Sequence, residues 1–63
     1  MKYRDLIRLI EKDGWFLART SGSHRIYKHP AKPGIAIIAA HGMNQDVPKG
    51  ILAAALKQVG IEL

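Results

Sequence analysis

The sequence predicts an α+β domain of order α-β-β-β-α, in which two helices cover one face of a three-stranded antiparallel sheet. Three observations predict it. A helical apolar stripe at the N-terminus is closed by Asp13-Gly14, and a second follows Pro48 and is closed by Gly60. Between them lie three short β-like runs, punctuated by Ser21-Gly22-Ser23 and by Pro30 to Gly34. Strands joined by such short loops form a meander. Helices that each carry one apolar stripe must then share one face of the sheet, and the other face stays open.

Each element follows from its residues. Tyr3, Leu6, Ile7 and Ile10 recur at helical spacing, with Leu9 widening the stripe, so the first helix is expected over about 2–13. Gly14 supplies the left-handed position after it. Trp15 to Thr20 is too short for a helix and reads as a strand; its two aromatic residues, Trp15 and Phe16, are candidates to stack on bases, but at least one is expected in the core. The turn Ser21-Gly22-Ser23 reverses the chain into a second strand, His24 to His29. Pro30 ends it, and after Pro33-Gly34 the apolar run Ile35 to Ala40 makes the third. His41 to Val47 is the longest loop. Asp46 is expected to cap a last helix over about 48–59 that buries Ile51 or Leu52, Ala55, Leu56 and Val59.

Composition narrows the function classes. A chain of 63 residues reads as one domain, 1–63, and buries only roughly 60% of its unfolded surface. It has no cysteine, and its three histidines are too irregularly spaced for a zinc site, so no metal and no cofactor is expected. No apolar run reaches the length of a signal peptide or a membrane span, so no membrane contact and a cytoplasmic location are expected. Ten Lys and Arg against five Asp and Glu leave a net charge of +5, which favours a polyanionic partner: nucleic acid, or an acidic protein.

The run Thr20-Ser21-Gly22-Ser23-His24-Arg25 joins a glycine able to take positive φ, hydroxyls, an imidazole and a guanidinium within six residues. Those are the groups that suit a phosphodiester. The side-chain period of two puts Lys28 on the same strand face as His24, and puts Arg25 and Tyr27 on the opposite face, with Tyr27 toward the helices.

Taken together, Lys12-Asp13-Gly14-Trp15, Gly22-Ser23-His24, Tyr27, His29-Pro30, His41, Pro48-Lys49-Gly50 with Leu52, and Leu56 to Gly60 resemble the HicA toxins along essentially the whole chain. One departure is Ala39-Ala40, where many relatives carry a proline just before the later histidine. The resemblance implies a double-stranded-RNA-binding-like fold, an mRNA interferase activity and a HicB-type antitoxin as partner, with mRNA as substrate and His24 as the catalytic histidine.

RNA supplies its own nucleophile, the 2′-hydroxyl, so its cleavage needs proton transfer and charge stabilisation but no metal. Imidazole suits either proton transfer near neutral pH. Ser21, Ser23 and the Gly22 N–H are candidates to hold a phosphate oxygen, although a plain turn explains them equally well. Lys28 and, at the start of the last helix, Lys49 are candidate backbone contacts. His41 is weighed as a second proton-transfer group against a loop role, and His29 reads as a strand-end residue. The rivals are a non-catalytic RNA-binding module on the same basic face, and an adaptor for an acidic protein.

Overall fold

The computed structural model describes residues 1–40 and 42–63; His41, with the roles weighed for it, lies outside the described residues. In chain order the elements are α1 (Tyr3–Lys12), β1 (Phe16–Ser21), β2 (His24–Lys28), β3 (Ala36–Ala39) and α2 (Lys49–Val59). The strands form one antiparallel sheet in the order β1-β2-β3. This is the expected α+β arrangement, with strand ends shifted by one residue. No described helix is long and apolar enough to cross a membrane.

α1 buries the stripe read from the sequence, Tyr3, Leu6, Ile7 and Ile10. Among the described residues no side chain caps its start. The first free amides are satisfied by loop carbonyls instead, Tyr3 N–H donating to Gln45 O and Arg4 N–H to Met43 O, both at 3.0 Å. The loop before α2 is thereby tied to the start of α1. Both helices end in the same way. Gly14 and Gly60 take positive φ, and the following amides of Trp15 and Ile61 reach back to Ile10 O and Leu56 O at 3.1 and 3.0 Å.

The core lies between the helices and one sheet face. Tyr27, Leu6, Ile10 and Val59 are its largest fully buried side chains, joined by Trp15, Ala36, Ile38 and Ala55. Burying an aliphatic side chain of this size contributes about 1.5–3 kcal/mol, which is why a small domain concentrates its stability in so few positions. Tyr27, Ala36 and Ile38 hold the sheet side, as the period of two requires.

Two expectations need correction. Asp46 does not cap α2: Pro48 occupies the cap position, and among the described residues no side chain caps the helix start. Asp46 instead forms a β-bridge with Lys2, whose Nζ stands 4.0 Å from its carboxylate. The terminal segment before α1 competes successfully for that backbone, as Val47 N–H donates to Met1 O at 2.8 Å. In α2, Ile51 is exposed and Leu52 and Leu56 are half-buried, so only Ala55 and Val59 enter the core fully. Ala55 and Val59, four residues apart, form the face of α2 turned to the core, and Leu52 and Leu56 pack at its margin.

Candidate functional site

The β1–β2 hairpin turns through Gly22 and Ser23, with Ser21 paired to His24. Gly22 has φ +60 and Ser23 a negative φ, the combination of a type II′ turn, whose twist matches that of the flanking strands. A Cβ on Gly22 would meet no atom of the described residues within 4 Å, so among them only backbone conformation requires glycine there. The Ser23 carbonyl accepts a hydrogen bond from Ala40 N–H at 3.0 Å, which locks the turn to the end of β3.

His24 is exposed at the first position of β2, and among the described residues its ring makes no hydrogen bond. Its cross-strand neighbours are Ser21 and Ala39. Because Tyr27 is buried under the helices, His24, Ile26 and Lys28 take the opposite, open face of the sheet. Lys28 is exposed on that face four residues on, roughly 13 Å along the strand at ~3.3 Å per residue. Arg25 falls on the helix side, half-buried, so it does not join His24.

Lys49 is exposed at the start of α2. Ile51, one residue further than its neighbour Gly50, lines a hollow with Ala39, the partner of His24, whereas Gln58 near the other end of α2 reaches Ile37 N–H at 3.4 Å. The start of α2 therefore lies at the His24 end of the domain, but in the helix layer. His24 and the turn come together; Lys28 shares their face; Lys49 shares only their end.

The carboxylates are kept off the sheet. All five acidic residues, Asp5, Glu11, Asp13, Asp46 and Glu62, lie outside the strands, while the strands carry Arg19, Arg25, Lys28 and His24. The open face thus offers cations and an imidazole with no carboxylate from its own strands. Arg19 belongs to this set although the sequence reading passed over it. The pairing of Ser21 with His24 places Arg19, two residues earlier, on the His24 face. That signal was present in the turn length.

Phe16 was less legible. The register of β1 shifts between Leu17 and Arg19, so Arg19 faces Ile26, Leu17 faces Tyr27 and Phe16 faces Lys28. A bulge of this kind sets Ala18 and Arg19 together against Ile26 and turns Phe16 onto the open face. Phe16 is 50% exposed, whereas Trp15 is 2% exposed, so the aromatic pair divides between surface and core.

His29 is more than a strand end. Its Nε2 lies 2.8 Å from Asp13 O, and its Nδ1 accepts the amides of Ala31 and Lys32 at 2.9 and 3.0 Å. Two amides on Nδ1 fix the proton on Nε2, which donates to Asp13 O. The ring meets Trp15 edge-on, 5.2 Å between centroids, and the buried Trp15 indole N–H makes no close hydrogen bond among the described residues. Lys32 Nζ adds a 2.6 Å ion pair to Asp13 and a 3.0 Å bond to Val59 O, so the ends of α1, β2 and α2 meet there. This cluster lies at the far end of the domain from His24.

The family model describing the HicA toxin of bacterial toxin-antitoxin systems matches residues 3–61, a span that takes in both helices and all three strands. No curated protein matches the chain at a significant level.

Proposed function

Because this chain belongs to the HicA toxin family, we propose that it is a metal-independent endoribonuclease whose open sheet face binds RNA and whose His24 transfers the proton. The family implies an antitoxin partner; an antitoxin of the HicB type, covering the basic face, would block the activity. The observation that carries the reading is the placement of His24: exposed, beside a glycine turn, on a sheet whose strands carry cations and no acid.

In the reaction, the 2′-oxygen loses its proton and attacks the adjacent phosphorus. The bond from phosphorus to the 5′-oxygen breaks, and that oxygen takes up a proton, leaving a cyclic phosphate and a free 5′-hydroxyl. His24 acts in one of the two proton transfers, as general base or general acid. The Ser21 and Ser23 hydroxyls and the Gly22 N–H face the phosphate oxygens, and Lys28 and Lys49 hold the flanking backbone. A double-stranded-RNA-binding-like fold, the arrangement the family likeness implies, grips phosphates at a helix start, which supports Lys49 by analogy.

A second reading, a non-catalytic RNA-binding module, is favoured by one observation: no described residue hydrogen-bonds and orients the His24 ring. Induction of the wild-type chain beside His24→Ala and His24→Gln separates the two. The nuclease reading expects growth arrest and RNA loss with wild type alone, all three proteins giving the same circular dichroism. Equal arrest by all three would remove His24 from the chemistry and leave binding as the account.

A further inference from the structure

We propose that the open sheet face contains a base-stacking subsite, formed by Phe16, Arg19, Ile26 and Lys28, that takes unpaired RNA in preference to a duplex. The proposal rests on the RNA-directed reading above and assigns residues that reading does not use. Three observations converge on it. The first is the exposed aromatic: Phe16 is half-exposed and stands directly across from Lys28. Cross-strand partners share a sheet face, so a ring and an ammonium are presented side by side.

The second is a shallow hollow of about 450 Å³ lined by Ala18, Arg19, Ile26, Lys28 and Ile35. It lies at the small end of the ~300–1,000 Å³ typical of ligand clefts, room for a group the size of one base. Its lining combines three apolar residues, Ala18, Ile26 and Ile35, with two cations, Arg19 and Lys28. The bulge produces this shape: it turns Ala18, which has almost no side chain, toward Ile26 beside Arg19. Without the shift Leu17 would face Lys28, and Phe16 would turn to the helix side.

The third is charge. The strands supply Arg19 and Lys28 to this face and no carboxylate, which complements a phosphate backbone. Aromatic rings with interleaved cations grip single strands, because an unpaired base offers its face while a base within a duplex is already stacked. The hollow lies along β2 from His24, so one strand crossing the face meets the stacking subsite and then the imidazole.

The test is RNA binding measured by fluorescence anisotropy in a His24→Ala background, where cleavage cannot intrude. The probes are a short labelled single-stranded RNA and the same strand annealed to its complement. Phe16→Leu keeps the apolar bulk but loses the π face, and should weaken single-strand binding about tenfold while leaving duplex binding alone. Phe16→Trp should restore it, and Arg19→Gln should reduce the slope of log affinity against log salt by about one. Should Phe16→Leu fail to fold by its thermal melt, Arg19→Gln, at an exposed position, carries the test. Binding that is unchanged in these variants, or equal for single strand and duplex, overturns the subsite while leaving the RNA reading intact. Absence of any RNA binding by the His24→Ala parent and by the wild-type chain overturns both.

Discussion

His29 Nε2 sits 2.8 Å from the carbonyl oxygen of Asp13, which ties the residue after β2 to the end of α1. The other ring nitrogen accepts the amides of Ala31 and Lys32, so one side chain satisfies three backbone groups. Removing it deprives those groups of their partner, the Lys32 amide in a part-buried site and the other two near solvent, and each lost hydrogen bond costs about 0.5–1.5 kcal/mol. His29→Ala should therefore destabilise the fold by about 2 kcal/mol or more in urea unfolding. Wild-type stability in His29→Ala would leave the cluster with no energetic role.

The same cluster gives the fold an acid limb. The Lys32 hydrogen bond and charge, with His29 nearby, hold the Asp13 carboxyl below its ordinary value. A carboxyl depressed in the folded state binds fewer protons there than in the unfolded chain. Its contribution is fully present above the unfolded pKa, near 3.9, and is lost as pH falls through the lower folded value. Thermal melts between neutral and strongly acid pH should show that loss, and Asp13→Asn should flatten it. An identical acid limb in Asp13→Asn would assign the effect elsewhere.

Two glycines with positive φ should differ sharply on substitution. Gly22 has φ +60 and no described atom within 4 Å of a Cβ placed there, so Gly22→Ala should cost only the backbone strain of a positive φ, about 1–3 kcal/mol. Gly14 has φ +113, and a Cβ there would stand 2.7 Å from His29 Nε2, so Gly14→Ala meets strain and collision together. Urea midpoints should rank wild type above Gly22→Ala and Gly22→Ala above Gly14→Ala. The reverse ranking would mean that the His29 ring yields freely.

What the sequence made legible follows from which forces are local. The α1 stripe of Tyr3, Leu6, Ile7 and Ile10 and the stops at Gly14 and Gly60 depend on periodicity and backbone conformation, and they appear where periodicity puts them. The parity of His24, Tyr27 and Lys28 was equally readable, because a strand alternates whatever surrounds it. The bulge at Ala18 was not, since an extra residue shows only against a partner strand, and with it went the placement of Phe16. Asp46 looked like a cap because its type suits one; a distant partner, Lys2, claimed it. His29 was undervalued for the same reason, as its acceptors and donors come from segments far apart or folded back on it.

Tyr27 gives an alkaline counterpart to the acid limb. Burial pushes its phenol above the ordinary value, so the folded state keeps the proton longer than the unfolded chain. Its contribution is fully present below about pH 10 and is lost as pH rises through the folded value. Tyr27→Phe should make stability less sensitive to alkali in chemical unfolding at successive pH values. A Tyr27→Phe protein that loses stability with alkali as steeply as wild type would count against a buried phenol as the cause.

Lys28 and Lys49 test how far the bound strand extends. Lys28 shares the open face with His24, and Lys49 shares only the His24 end of the domain, from the start of α2. A lysine that neutralises a phosphate releases counterions, so its removal should weaken RNA binding at low salt and lower the slope of log affinity against log salt by about one. Lys28→Gln is expected to do both. If RNA follows only the sheet, Lys49→Gln should leave the slope untouched. If the strand also turns around the Ser21–Ser23 end onto the helix layer, Lys49→Gln should lower the slope as much as Lys28→Gln, and the double variant should lower it by about two. Titrations at several salt concentrations decide between those paths, and no change in slope for either variant would remove both lysines from the interface.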